Sequence, residues 1–230
     1  MLGLFSLALA IPILGIISKI EFEFSYFIKF FDSSYNVRLI YTSIFQAFLS
    51  ATLSCAVAIP FSISLYRHKN SIISKIIISL CGYAFVLPSI LIVFSTIGIF
   101  GINGVFNKYI HIYEIFNIKS IFGLKAIILG HVLLNAPFAT RLFFQNLNNI
   151  SKNYSDLSKA LNLNFWSNII KIEWPILKQN LLSIFSIIFV LCFLSFAIVM
   201  SLGSGPSTST IEVAIYQLAL LDLNFNKAIV

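Results

Sequence analysis

The sequence predicts an all-α fold: a polytopic bundle of helices that cross a membrane. Three observations carry that prediction. Of the 230 residues, 59% are hydrophobic and only 10% are charged, whereas soluble domains carry about 45–50% and about 25%. A soluble core cannot hide so much apolar surface, so lipid is the solvent for most of the chain. Second, the apolar residues fall into runs that approach or exceed the roughly 20 residues needed to cross a bilayer. Third, the formal charge of +7, from 15 Lys+Arg against 8 Asp+Glu, is scattered over the segments between those runs. That pattern is explained by membrane topology and does not call for a nucleic-acid partner.

The runs, in order, are about 1–17, 38–66, 76–100, 124–145 and 177–202. The first is short and holds Pro12 and Gly15. Its Ala8-Leu9-Ala10 resembles a signal-peptidase site, but no basic region precedes it and the apolar stretch before it is brief, so it reads as an anchoring span. The second run leads into "YRHKNSIISK", with Arg67, Lys69 and Lys75 and no acid. The fourth leads into a segment with Arg141, Lys152, Lys159, Lys171 and Lys178. The positive-inside rule puts residues 67–75 and 146–176 in the cytoplasm, and the N-terminus with them. In the fourth run, Asn135-Ala136-Pro137 is expected to interrupt the helix and free a backbone carbonyl. A further apolar run starts at about Ala228, giving five spans and an incomplete sixth.

Residues 154–173 are the long half-polar interruption on the cytoplasmic side. Tyr154, Leu157, Ala160 and Leu161 share one helical face, opposite Ser155, Asp156, Ser158 and Lys159. Asn162 suits the left-handed turn that ends a helix. A second short helix fits 165–173, with Phe165, Trp166, Ile169 and Ile170 apolar. Pro175 suits the first turn of the span that follows. Two readings are open for this pair: helices lying on the lipid interface, or a docking element for a cytoplasmic partner.

Enzymatic readings find little support. "GSGPSTST" (203–210) lacks the Gly-Lys-Ser/Thr of a nucleotide loop. It reads as a turn into a helix, with Ser209 and Glu212 spaced as a capping box. An intramembrane protease needs a serine with a histidine, or paired acids, inside the bilayer. His131 is the one mid-span histidine, and the five runs hold no acid. Cys55, Cys81 and Cys192 all lie inside apolar runs without metal-ligand spacing, which reads as small buried hydrophobes. No cofactor and no metal is expected. Gln46, His131, Asn135, Pro137, Ser195 and Ser201 are the polar or helix-breaking groups within spans. Such groups either line a transport path or glue helices together, and both readings stand for each.

The cytoplasmic segment resembles the "EAA" coupling loop of binding-protein-dependent ABC importer permeases. Asp156 stands where that loop has its acid and Asn162 where it has glycine, with Pro175 thirteen residues beyond. Trp166 and Ile169 hold the usual aromatic and apolar positions. Leu157 and Ser158 replace two alanines, and Ala160 and Leu161 complete the first helix. The resemblance widens through "FSISLYRHK", "GHVLLNAPFATRLFFQNL", "IIKIEWPILK" and "LCFLSFAIVMSLGSGPSTSTIEVAIYQLAL". Together these look like the N-terminal half of thiamine ABC transporter permeases, with ferric-iron permeases as close relatives. The resemblance implies a MetI-like permease fold, with residues 1–37 an N-terminal span and periplasmic segment. Residues 38–230 would be the permease module, its coupling loop at about 151–175 and its last span truncated. It implies a transport subunit of the bacterial inner membrane that is not itself an enzyme. The implied partners are a cytoplasmic ATPase dimer, a periplasmic binding protein, a second permease module and membrane lipid, without nucleic acid. The alternatives are a ferric-iron importer permease and a non-transporting remnant.

Overall fold

The structure is a computed structural model describing residues 10–11, 14–15, 30–111, 120–149, 163–223 and 228. The described residues form helices and turns, without strands. Among the described residues, four helical stretches are long and apolar enough to cross a membrane: Ser34–Arg67, Ser89–Ile110, Leu124–Asn148 and Phe165–Phe193. The first predicted run lies almost wholly outside the described residues, as does the segment after Leu223 apart from Ala228.

The long helix α1 (Ser34–Arg67) covers the predicted second run and overshoots it at both ends. Its 34 residues extend about 50 Å, well beyond the roughly 30 Å hydrocarbon core, so its ends project or the helix tilts. The predicted third run is two helices rather than one: α2 (Ile72–Tyr83) and α3 (Ser89–Phe100). A 3-10 turn, Ala84–Val86, joins them. Pro88 explains the break, because it pushes Leu87 into extended backbone (ψ 130°) and contributes no N–H of its own. The short helix α4 (Val105–Ile110) follows.

Helix α5 (Leu124–Asn148) is the spine of the molecule. It runs continuously through Pro137, where the sequence suggested an interruption. One half of α5 packs Ala139, Phe143 and Leu147 against Ala47, Ala51, Cys55 and Ala58 of α1 and Leu177, Ile184 and Ile188 further along the chain. The other half packs Ala126 and Ile127 against Ile92, Val93, Ile198, Val199, Leu202 and Val213. Small residues along α1 let the backbones approach closely, which is how helices associate in lipid without a hydrophobic driving force.

Residues 165–173 are not a separate short helix. Helix α6 (Phe165–Asn168), a π-turn (Ile169–Glu173) and helix α7 (Trp174–Phe193) form one continuous rod. The π-turn lies just ahead of Pro175, which can give no N–H to the preceding turn, and such bulges absorb this kind of mismatch. Beyond α7 the predicted fifth run breaks at 194–196 before α8 (Ala197–Leu202). Helix α9 (Ile211–Tyr216) and a π-turn (Gln217–Leu221) close the described fold.

Many large apolar side chains, among them Phe48, Phe61, Leu80, Phe94 and Leu182, point outward and are exposed. Apolar surface on this scale belongs against lipid or another chain.

Candidate functional site

The basic end of the bundle is built around one carboxylate. Glu173 sits in the π-turn with its side chain 2% exposed. Arg67, the last residue of α1, meets it with both arms of its fork: Nε donates to Oε1 and Nη2 to Oε2, each at 2.9 Å. A bidentate pair of this kind fixes direction as well as distance. The guanidinium also lies over the Phe165 ring, 4.1 Å from its centroid. Phe165 in turn meets Trp166 edge-on at 5.5 Å. A continuous line of contacts therefore runs from Trp166 through Phe165 and Arg67 to Glu173, tying the start of the α6–α7 rod to the end of α1.

Above that line the rod shows an apolar row: Trp166 is 69% exposed, and Ile170 and Trp174, at four-residue spacing, are exposed as well. Ile169, predicted with them, turns inward and packs on the α1–α5–α7 core. Pro175 is half-buried at the head of α7. Asn164 starts the rod, its side-chain oxygen accepting the Ser167 N–H at 2.8 Å. The sequence carries a signal for that cap, an Asn three residues before a helical donor. Asp156, Leu157, Ser158, Ala160, Leu161 and Asn162 lie outside the described residues.

The second constellation surrounds the break after α7. Because the helix stops at Phe193, the Cys192 carbonyl lacks a regular helical partner. Gln46 Nε2 of α1 donates to it at 3.0 Å, supplementing a long contact from Ser195 N at 3.4 Å. Asn135 Nδ2 reaches Cys192 Sγ at 3.2 Å, and Ser50 Oγ pairs with His131 Nδ1 at 3.2 Å. Gln46, His131 and Asn135 are thus brought together, and all are buried between α1, α5 and α7. Gln46 Oε1, His131 Nε2 and Ser54 Oγ find no partner among the described residues. Polar atoms buried at membrane depth without a partner are costly. Pro137 is part of the same helix but makes no recorded polar contact there. Ser195 stands at the break, its N–H shared with Gln46 on the Cys192 carbonyl, and Ser201 lies on α8; both are half-buried.

Between α8 and α9 a cleft is lined by Met200, Gly203, Thr208, Ser209, Val213 and Gln217. Between the same two segments Phe196 packs on Tyr216, ring centroids 4.7 Å apart. The predicted capping box is not formed. Thr210 is the N-cap of α9 and its side chain caps nothing. Instead the Ile211 N–H donates to Ser43 Oγ of α1 at 2.9 Å. This cap comes from far along the chain, so no local pattern could have shown it.

The family described as the inner membrane component of binding-protein-dependent transport systems matches residues 58–222. The chain belongs to that family. Among its relatives, the thiamine transport system permease protein ThiP of Haemophilus influenzae is 36% identical over 198 residues, 86% of this chain and 37% of that protein. ThiP of Escherichia coli is 35% identical over 198 residues, with the same coverage. The chain thus spans little more than a third of the length of these relatives. In the crystal structure of a bacterial alginate ABC transporter bound to its periplasmic protein, one chain superposes with a TM-score of 0.75. That match is at 14% identity and covers 99% of this chain and 83% of that one. A chain of the inward-facing MetNI methionine ABC transporter gives a TM-score of 0.65 at 17% identity, covering 84% and 85%. At such identities the likeness is one of fold. It fits an all-helical membrane component with breaks inside its spans, as at 84–88 and 194–196. In this inner-membrane component, the Arg67–Glu173 pair is what sequence reasoning missed. Its partners stand 106 positions apart, and a single sequence holds no signal that would join them.

Proposed function

We propose that this chain is a permease module of an ABC importer that carries thiamine or its phosphate esters inward. The observation that carries the reading is the identity to thiamine transport permeases along 86% of the chain. Residues 38–230 form the module, preceded by an N-terminal span and periplasmic segment over 1–37. A separate cytoplasmic ATPase dimer binds and hydrolyses ATP, and a periplasmic binding protein delivers the substrate. The translocation path forms between this module and a second one.

In this reading the coupling loop, about 151–175, docks on the ATPase through Asp156 to Asn162 and through the exposed Trp166 row. Ile169 and Pro175 join the loop to the rod. When the ATPase pair closes, its contacts with the loop change, and only such differential contact can shift the permease between states. The Trp166–Phe165–Arg67–Glu173 line supports the next step, because displacement of α6 moves α7 and the end of α1 together. At the far end of α7 lies the break at 194–196, where Cys192 is tied to Gln46 of α1 and Asn135 of α5, while His131 pairs α5 with Ser50 of α1. Broken helices of this kind set ligand sites and gates in transporters. Ser195, Ser201 and the cleft between α8 and α9 then face the path, while the buried trio transmits movement of α7.

The test is uptake of labelled thiamine in cells lacking the gene, with and without the restored chain. Restoration that unlabelled thiamine competes away and ferric iron leaves intact is the expected result. Uptake unchanged by the chain overturns the assignment, and competition by ferric iron alone redirects it to the iron class.

A further inference from the structure

A cavity of about 230 Å³ opens between α2 and α5 at the basic end, lined by Lys69, Ser74, Lys75, Ile78, Ser79 and Phe144. Among the described residues its lining carries two ammonium groups and two hydroxyls and no carboxylate. Among the described residues Lys69 has only neutral partners, Asn148 Oδ1 at 3.4 Å and the Tyr66 ring at 4.7 Å. The contrast with its neighbour is informative, since Arg67 is fully matched by Glu173.

The start of α2 points the same way. Its N-cap, Ser71, is extended and its side chain caps nothing, and no acid occupies the first turn. The first intrahelical bond runs from Lys75 N to Ser71 O at 3.2 Å, so the N–H groups of Ile72, Ile73 and Ser74 precede the ladder. A lysine in this turn adds positive charge to the positive end of the helix dipole, the unfavourable arrangement. An oxyanion reverses it. Ser74 supplies an independent observation: the residue is buried, 6% exposed, it lines the cavity, and its hydroxyl makes no hydrogen bond among the described residues. A hydroxyl so placed waits for an acceptor.

We propose that this cavity binds a phosphate group, and that the phosphate is the headgroup of an anionic phospholipid of the cytoplasmic leaflet. Lys69 and Lys75 supply charge, Ser74 and Ser79 supply hydrogen bonds, and the first turn of α2 supplies backbone donors. The lipid source follows from the surroundings. The loop 67–75 lies at the membrane surface that the positive-inside rule assigns to the cytoplasm. Ile72, Ile73, Ile76 and Leu80 of α2 are exposed and give the acyl chains an apolar bed. Basic pockets at this depth attract anionic headgroups.

Native mass spectrometry of the full protein tests this, comparing discs of phosphatidylglycerol with discs of phosphatidylcholine. The wild type is expected to keep one phosphatidylglycerol under activation that strips phosphatidylcholine. Lys69→Gln with Lys75→Gln should weaken retention about 30-fold, at roughly one kilocalorie per lysine. Ser74→Ala, which leaves both charges, should weaken it less, and Lys125→Gln at the start of α5 should leave it unchanged. Equal retention of the two lipids, or an unaltered double variant, overturns the site. Retention displaced by millimolar inorganic phosphate overturns the lipid as its source.

Discussion

At the scale of single residues, the acid at position 173 bears the heaviest constraint. Its carboxylate is nearly inaccessible and every oxygen faces Arg67. Removing one partner of such a buried pair leaves the other charge stranded, at a cost of about 3–5 kcal/mol, trimmed where the guanidinium reaches water. Glu173→Ala is therefore expected to lower the melting temperature of the purified protein strongly, and Arg67→Ala to do so by a smaller margin. The exchanged pair, Arg67→Glu with Glu173→Arg, should recover part of the loss. Gln46 is the corresponding residue inside the membrane. Gln46→Ala leaves the Cys192 carbonyl with only the long Ser195 contact, costing about 1–3 kcal/mol, and thermal unfolding in detergent should register it. Neither role was legible beforehand. Gln46 stood out as a polar residue in lipid, but its partner is a carbonyl made available by a break that the local sequence does not announce.

Among the helices, two breaks differ in how far the residues foretell them. The break between α2 and α3 has Pro88, a plain stop signal that a hydropathy run conceals by being apolar on both sides. The break between α7 and α8, at "LSF", has neither proline nor glycine, so tertiary contact with Gln46 and the α5 packing stabilises it. The opposite lesson comes from Pro137, which α5 absorbs without losing its path. Close approach of α8 to α5 rests on Gly130. A Cβ there would stand 3.0 Å from Leu202 Cδ1 and 3.2 Å from Ile198 Cγ2. Gly130→Leu should overpack this contact and cost about 1–3 kcal/mol, read as a lower melting temperature, while Gly98→Leu, with open space around it, should cost less. The α6–α7 rod was foreseen as a separate helix and a span. The π-turn fuses them, because a bulge restores the ladder ahead of Pro175 where a straight α-helix would be interrupted.

For the whole molecule, composition and run length made the membrane class and the helical architecture legible, because lipid as solvent leaves few alternatives to helices. The long-range ties that turn helices into a device were not legible: Ser43 capping α9, Arg67 clasping Glu173, and Gln46 holding the break. Each joins residues far apart in the chain, so no periodicity records them. These ties give the proposed importer its mechanics, one rod running from an exposed aromatic row at the basic end to a break deep in the bundle. The most direct measurement is co-purification of an ATPase subunit with the chain from its native membrane, comparing wild type with Trp166→Asp. Trp166 is exposed, so this change should leave folding intact, and the account predicts that the ATPase is lost while the permease is recovered at normal yield and melting temperature. An ATPase retained in full by the Trp166→Asp protein would contradict the account.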